Sequence, residues 1–143
     1  AFVEVYQNCN VFNDGAYDDL LTRDRRADML IPLEQGRPIR FGVDGEHGVA
    51  QNEFAELVIG EVAELGEDRL LVHDEHRPDP TLAFALSRLS DSPHEPTPIG
   101  VFRDVQRPVY EAEVQAQVDA EIDRSGRGDL AELIRSGATW TVD

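Results

Sequence analysis

Apolar and polar positions change their spacing several times along the chain, and the changes outline short alternating strands and helices. Residues 1–6 are mostly β-branched or aromatic, which is typical of a largely buried parallel strand. Between residues 16 and 29 the apolar positions recur at helical spacing on a charged background, which predicts an exposed helix. Pro32 is expected to close that segment.

The middle of the chain predicts short extended segments separated by turns. Residues 39–42 are expected to be extended, and Asp44-Gly45 to form a turn. Residues 54–65 mix helical and alternating signals, and strand is favoured near residues 59–65. Residues 70–73 carry the clearer strand signal.

The last part of the chain predicts helices that begin near prolines. Helical apolar spacing after Asp79 continues to residue 90, and residues 99–105 are expected to be extended after a proline-rich loop. Pro108 predicts the first turn of another helix. A short helix is expected at residues 129–135, with Gly137 as its cap. The whole pattern predicts an α/β fold of short elements.

Charge excludes several classes of partner. The 143 residues include 29 acids against 13 basic residues, all of them arginine, for a net charge of -16. Nucleic acids and anionic lipids require a basic surface, so we expect neither partner. No apolar run approaches the roughly 20 residues that span a bilayer, and the N-terminus lacks the pattern of a secretory leader. We therefore expect a cytoplasmic protein, and the start within a strand pattern indicates a piece of a longer chain.

Acidic residues are concentrated between residues 44 and 75, where there are ten acids and one basic residue, Arg69. At molar salt the Debye length falls to roughly 3 Å, so such a surface repels itself little. A halophilic source is therefore one hypothesis. The alternative is a GC-rich genome, which replaces lysine with arginine but does not by itself generate the excess of acids.

Two features carry candidate chemistry, although no complete catalytic set is present. Cys9 lies in a polar loop just past a predicted strand end, where cofactors gather in α/β sheets, yet a lone thiol is more often a small buried apolar residue. One thiolate cannot build an iron–sulfur site, so further ligands would have to lie elsewhere. The run His73-Asp74-Glu75-His76 is the densest potential ligand cluster. A polar turn is favoured there, and a metal shared by the two histidines is the alternative.

The run Phe-Val-Glu-Val-Tyr-Gln-x-Cys-x-x-Phe-Asn-Asp, at residues 2–14, is similar to the end of the thiamine diphosphate domain in β subunits of 2-oxoacid:ferredoxin oxidoreductases. Other stretches resemble successive parts of the same subunit's C-terminal region: residues 33–38, 40–42, 71–76, 79–84 and 98–103. The resemblance covers essentially the whole chain. It implies that residues 1–15 form the last strand and cluster-ligand loop of a parallel-sheet, thiamine diphosphate-binding domain. Residues 16–143 would then form an α+β C-terminal extension.

The resemblance also implies an activity for the parent enzyme. Its two kinds of subunit oxidatively decarboxylate a 2-oxoacid, such as pyruvate or 2-oxoglutarate, on thiamine diphosphate with Mg²⁺. The acyl group passes to coenzyme A, and electrons pass through a [4Fe-4S] cluster to ferredoxin. The implied partners are the α subunit, ferredoxin, the 2-oxoacid and coenzyme A.

Within these residues, the resemblance assigns one site, Cys9, as a ligand of the cluster. The other three ligands and the diphosphate-binding motif would lie upstream, so the fragment alone is expected to be inactive. Many relatives carry proline beside this cysteine, whereas Asn8 and Asn10 flank it here, which is expected to change the amide hydrogen bonds to the cluster sulfurs. The alternative function is a non-catalytic acidic interaction domain in which Cys9 is merely packed.

Overall fold

Short helices alternate with short strands through most of the chain. The structure is a computed structural model that describes residues 1–90, 92, 94–137, 140 and 142. It contains two units, an N-terminal unit, Ala1–Val105, and a C-terminal unit, Gln106–Asp143.

The elements of the N-terminal unit are short helices, strands and one 3-10 turn. In chain order they are α1 (Asp18–Leu21), α2 (Arg26–Met29), β1 (Leu30–Leu33), β2 (Arg40–Phe41), β3 (His47–Gln51), β4 (Leu57–Glu61), α3 (Val62–Leu65), the 3-10 turn Glu67–Arg69, α4 (Thr81–Ser87) and β5 (Thr97–Gly100). The C-terminal unit contributes α5 (Tyr110–Ser125) and α6 (Leu130–Arg135).

The strands form two small sheets. β1 and β5 pair in parallel, in register from Leu30 opposite Thr97 to Leu33 opposite Gly100. β2, β3 and β4 form a three-stranded antiparallel sheet in that order. A parallel pair together with helices confirms the predicted α/β class.

The core lies between strands from both sheets and helix α4. Alternate residues of β1 point inward, and α4 contributes two leucines spaced by one helical turn. The buried cluster is Ile31, Leu33, Ile39, Phe41, Val49, Leu82 and Leu86. This cluster anchors the loops that precede β2 and follow β5.

The strand predicted for residues 1–6 is wrong in this structure. These residues are in no strand, and each of them is exposed, including Phe2, Val3 and Val5. A buried parallel strand needs ladder partners for its backbone groups, and none of the described residues pairs with this segment. Cys9 therefore does not follow a strand end here.

Two features between residues 16 and 33 also differ from the sequence-based prediction. The helix expected over residues 16–29 is interrupted between α1 and α2, where Thr22 has extended backbone and its hydroxyl donates to the Asp18 carbonyl. Pro32 lies inside β1 instead of closing the segment. A two-stranded sheet leaves one edge of β1 unpaired, so a residue without an N–H is tolerated there.

The strand favoured near residues 59–65 is only partly correct, because β4 ends at Glu61 and the helix formers after it build α3. The strand predicted for residues 70–73 is wrong, since that segment makes only isolated bridges, Ala50 opposite Leu70 and Pro38 opposite Val72. Its backbone instead bonds alternately to β3 and to the loop before β2: the Leu71 N–H donates to the Val49 carbonyl at 2.8 Å, and the His73 N–H donates to the Arg37 carbonyl at 2.9 Å.

The remaining elements largely confirm the predictions. Residues 40–41 are a strand, and a turn follows in which Gly45 has a φ of 69°. Helix α4 begins where the Asp79 carboxylate accepts from the Thr81 N–H at 3.1 Å. The extended segment predicted at residues 99–105 is shorter and earlier, at β5. Helices α5 and α6 lie where predicted, and Asp129 caps α6 by accepting from the Ala131 and Glu132 N–H groups.

No described residue of the C-terminal unit is buried, and only Ile122 is partly covered. Among the helices in the described part of the chain, none is long and apolar enough to cross a membrane.

Candidate functional site

Cys9 lies in a closed loop, residues 6–17, whose ends are held together by aromatic stacking. The rings of Tyr6 and Tyr17 stack with centroids 5.1 Å apart and planes inclined by 21°. Desolvation within this pair raises the pKa of the Tyr6 hydroxyl although the residue remains exposed overall, and the nearby Glu4 carboxylate adds to the effect. The stack fixes the span of the loop on both sides of the cysteine.

The side chain of Asn8 ties the inside of this loop together. Its amide nitrogen donates to Asn10 Oδ1 at 3.0 Å and to Asp14 Oδ1 at 2.9 Å. Its carbonyl oxygen accepts from the Gly15 N–H at 2.9 Å. Asn8 therefore bridges seven residues of sequence through one amide group. This is a structural reason for an asparagine beside the cysteine.

The loop directs backbone N–H groups at the Cys9 sulfur. Hydrogen bonds from the N–H groups of Val11 and Phe12, with a smaller contribution from Asn13, lower the pKa of the Cys9 thiol, while partial desolvation opposes the shift. The thiol is partly exposed and forms no disulfide. Amide donors that stabilise a thiolate make the residue a better metal ligand and nucleophile than a packed thiol would be.

Cys9 has no companion ligands among the described residues. No group of three or more histidine, cysteine, aspartate or glutamate side chains there is arranged to hold a metal ion. Cys9 is therefore a single thiol whose pKa is lowered by neighbouring backbone N–H groups. The sequence predicted that Cys9 lies in a polar loop. The backbone N–H groups that donate to its sulfur depend on the geometry of the turn, which residue types alone do not show.

The histidine-rich run forms a turn, as predicted. His73 is buried, its Nε2–H donates to the Val101 carbonyl at 2.8 Å, and its Nδ1 has no partner among the described residues. His76 is exposed, and its Nδ1–H donates to the Asp104 carbonyl at 2.8 Å. The two rings thus bond to different carbonyls of one following segment, and nothing described here brings them to a shared metal.

The environment of His76 is electrostatically distinct. The Asp104 carbonyl that accepts from its ring raises the pKa of His76, and the carboxylates of Glu75, Asp104 and Asp74 add to this, against a smaller desolvation effect. The Glu75 carboxylate lies 3.6 Å from the ring Nε2. Protonation of His76 therefore strengthens the contacts of this turn.

Gln35 joins the turn to the loop before β2. Its Oε1 accepts from the Glu75 N–H at 2.7 Å, and its Nε2 donates to Asp74 Oδ1 at 3.3 Å. Beside it, the Gly36 N–H donates to the His73 carbonyl at 2.8 Å.

Residues 101–104, which follow β5, also contact the histidine-rich turn, since the Asp104 N–H donates to the Glu75 carbonyl at 2.6 Å. Three stretches separated widely in sequence thus meet in one place, here called the motif junction: residues 35–37, 73–76 and 101–104. They coincide closely with stretches that carried the family resemblance. Sequence analysis singled out the histidines but missed Gln35, whose role depends on contacts across about forty residues of sequence.

Comparison with curated proteins gives a relative of assigned function. The chain is 39% identical over 145 aligned residues to the 2-oxoglutarate oxidoreductase subunit KorB of Mycobacterium tuberculosis, strain ATCC 25618 / H37Rv. The match covers 100% of this chain and 38% of that protein. No protein-family model and no solved structure matches the chain. The identity over the full chain supports the family of 2-oxoacid oxidoreductase β subunits, and it does not separate pyruvate from 2-oxoglutarate as the substrate.

Proposed function

We propose that this chain is part of the β subunit of a 2-oxoacid:ferredoxin oxidoreductase, in which Cys9 supplies one thiolate to a [4Fe-4S] cluster. The observation that carries the proposal is the 39% identity, over the whole chain, to a subunit named as a 2-oxoglutarate oxidoreductase. The chain spans 38% of that subunit's length, so most of the enzyme's chemistry would reside in other segments.

The loop around Cys9 fits a cluster ligand. Iron–sulfur clusters are held by cysteine thiolates, and hydrogen bonds to the sulfurs and solvent exposure tune their potential. Cys9 offers a partly exposed thiol whose pKa is lowered by the N–H groups of Val11 and Phe12. Asn8, which precedes Cys9 in sequence, holds the loop in shape through Asp14 and Gly15. The other three thiolates would come from outside these residues.

The proposed division of the chain follows from this role. Residues 1–15 would belong to the thiamine diphosphate-binding domain, and the exposed apolar run at residues 1–6 would then pair with strands of that domain. Residues 16–143 would be the C-terminal extension, which has a hydrophobic core of its own.

Bound thiamine diphosphate with Mg²⁺ would supply the decarboxylation chemistry, held by residues outside this chain. The acyl group would pass to coenzyme A, and the electrons to ferredoxin. The companion would be an α subunit, and both pyruvate and 2-oxoglutarate remain candidate substrates. The fragment alone would be inactive.

The acidic stretch between residues 44 and 75 bears on where ferredoxin would bind. Ten acids and one arginine there would repel an acidic electron carrier, so this stretch is excluded from the proposed ferredoxin-docking surface. Within it only a few charges are neutralised internally, as where Arg40 Nη1 lies 3.0 Å from Glu67 Oε1.

The proposal is tested by Cys9→Ser in the full-length enzyme. The serine variant is expected to lose most of its visible iron–sulfur absorbance and to reduce ferredoxin at a small fraction of the wild-type rate, because a serine hydroxyl is a poor substitute for the thiolate ligand. Iron content per subunit gives an independent readout. Val11→Ser is the matched control, because it introduces the same side chain at an exposed neighbour and keeps the backbone N–H that faces sulfur. Full absorbance and full activity in Cys9→Ser would overturn the assignment.

A further inference from the structure

The loop around Cys9 is closed by three contacts, one inside another. The innermost is a backbone hydrogen bond, in which the Asn13 N–H donates to the Cys9 carbonyl at 3.0 Å. The outermost is the stack of the Tyr6 and Tyr17 rings. Between these two lies the side chain of Asn8, which joins the residue before the cysteine to the residues after the turn.

The Asn8 side chain uses both ends of its amide. Its Oδ1 accepts from the Gly15 N–H at 2.9 Å, and its Nδ2 donates to Asp14 Oδ1 at 2.9 Å and to Asn10 Oδ1 at 3.0 Å. We call these three hydrogen bonds the Asn8 clasp. All of its partners lie within seven residues of Asn8 in sequence, so the clasp is a local feature of the loop.

The clasp encloses the turn whose N–H groups face the cysteine sulfur. The N–H groups of Val11 and Phe12 hydrogen-bond to that sulfur. The side chains of these two residues are 79% and 91% exposed, so they do not hold the turn by packing. The direction of the two N–H groups therefore depends on the backbone of the turn, whose ends the clasp fixes.

N–H groups that face a cluster sulfur make the cluster easier to reduce. One-electron reduction adds negative charge to an iron–sulfur cluster and its thiolates, and hydrogen bonds to the sulfurs stabilise that charge. Water can replace a lost donor, but it must then be ordered around the new charge, whereas a fixed N–H group is already oriented. A turn that holds its donors in place therefore gives a higher reduction potential than a turn that opens.

We propose that Asn8 is a positioning residue for the cluster, because its clasp keeps the N–H groups of Val11 and Phe12 on the Cys9 sulfur and thereby raises the reduction potential. The inference rests on the proposed function, since it requires the cluster. It goes beyond the ligand assignment, because Asn8 acts through the backbone of the turn and does not ligate iron.

A redox titration of the full-length enzyme tests the inference. The cluster is followed by the electron paramagnetic resonance of its reduced form, and its signal is identified as the one that Cys9→Ser removes. Asn8→Ala should make its potential more negative, by about a fivefold change in the one-electron equilibrium, which corresponds to about 40 mV. Asn8 is exposed, so the substitution disturbs no core.

Asn10→Ala is the matched control. Asn10 is also an exposed asparagine next to Cys9 in sequence, but it accepts only one bond of the clasp and leaves those to Asp14 and Gly15 in place. Its potential should change by less than about twofold in the same equilibrium.

Hydrogen–deuterium exchange reads the turn without the cluster. In the full-length subunit prepared without iron, the backbone of residues 9–15 should exchange about fivefold faster in Asn8→Ala than in the wild type, because the clasp no longer closes the turn. Asn10→Ala should have a smaller effect. This measurement also decides the role of the clasp if Asn8→Ala does not hold the cluster.

An unshifted potential in Asn8→Ala, equal shifts in the two alanine variants, or unchanged exchange of the turn would overturn the inference. An enzyme with an unshifted potential and normal ferredoxin reduction removes only the role of Asn8 and leaves the proposed function intact. A wild-type enzyme without any signal that depends on Cys9 would overturn both.

Discussion

The two units of this chain use the same kinds of side chain in opposite ways. In the N-terminal unit Ile31 is 0% exposed within a core built from both sheets and α4, whereas Ile134 of the C-terminal unit is 67% exposed. In the N-terminal unit, polar groups also form hydrogen bonds between stretches far apart in sequence. Gln35, His73 and Glu75 all make such bonds in the motif junction. In the described part of the C-terminal unit, hydrogen bonds outside the helix backbone are mostly between close neighbours in sequence.

The two units therefore differ in whether a buried core stabilises them. The N-terminal unit is stabilised by its own packing, which gives the motif junction a scaffold within these residues. The C-terminal unit has regular helices, but none of its described residues is buried. A difference of this kind predicts that core substitutions, glycine substitutions, salt and pH act unequally on the two units.

The largest difference is expected from a matched pair of isoleucine truncations. Ile31→Ala should lower the free energy of unfolding by about 2–5 kcal/mol, because it leaves a cavity beside Leu33 and Phe41. Ile134→Ala should change it by less than about 0.5 kcal/mol, since that side chain is already in solvent. Urea unfolding followed by circular dichroism measures both values. A comparable loss from Ile134→Ala would show that the C-terminal unit has a core of its own.

A glycine pair gives the next largest contrast. Gly100 ends β5 with a φ of 126°, and a Cβ placed there would lie 2.8 Å from the Leu33 carbonyl oxygen. Gly100→Ala should therefore destabilise the protein by about 1–3 kcal/mol, through backbone strain and a clash across the parallel pair. Gly128 has open space within 4 Å and no positive φ, so Gly128→Ala should be neutral or slightly stabilising. Thermal unfolding of the two variants decides between these outcomes, and equal midpoints would contradict the expected role of Gly100.

Salt is expected to have a moderate effect, and a larger one where the acids are concentrated. If the acidic excess reflects adaptation to high salt, molar KCl should raise the free energy of unfolding of the N-terminal unit, because screening removes repulsion among the ten acids between residues 44 and 75. Potassium sulfate at matched ionic strength separates screening from specific ion effects. Unfolding that is insensitive to KCl would favour genome composition as the cause of the missing lysines.

Sequence patterns predicted the parts of the fold that depend on local chemistry. Asp129 caps α6, Asp79 accepts from the Thr81 N–H just before α4 although Pro80 is the N-cap residue, and Gly45 forms the expected turn. Residues 1–6 and 70–73 have strand-like composition but form no strand, because a strand is defined by the partner that its backbone finds. Among the described residues, the first segment finds none and the second bonds alternately to β3 and to the loop before β2.

The candidate site was predictable to a similar degree. The position of Cys9 in a polar loop follows from its neighbours, and its assignment as a ligand came from resemblance. The amide donors from Val11 and Phe12 require the actual turn. Gln35 gave no local signal, since its partners Asp74 and Glu75 lie about forty residues away.

The smallest expected effect is a pH dependence confined to the N-terminal unit. The Asp104 carbonyl and the carboxylates of Glu75, Asp104 and Asp74 raise the native pKa of His76 above its usual value of about 6.5. A raised native pKa means that the folded state binds the proton more tightly. The stabilisation is therefore fully present below the unfolded pKa and is lost as the pH rises through the native pKa. The effect is small because the ring is exposed.

Two measurements test this pH dependence. The ring signals of His76 in NMR should titrate above about pH 6.5, and the loss of stability as the pH rises through that titration should be smaller in His76→Gln than in the wild type. The C-terminal unit provides an internal control, because residues 106–143 contain no histidine and the helicity of α5 should not change over this range. An unchanged pH slope in His76→Gln would locate the titrating group elsewhere. A titration below pH 6.5 would show that the contacts to Asp104 and Glu75 do not hold in solution.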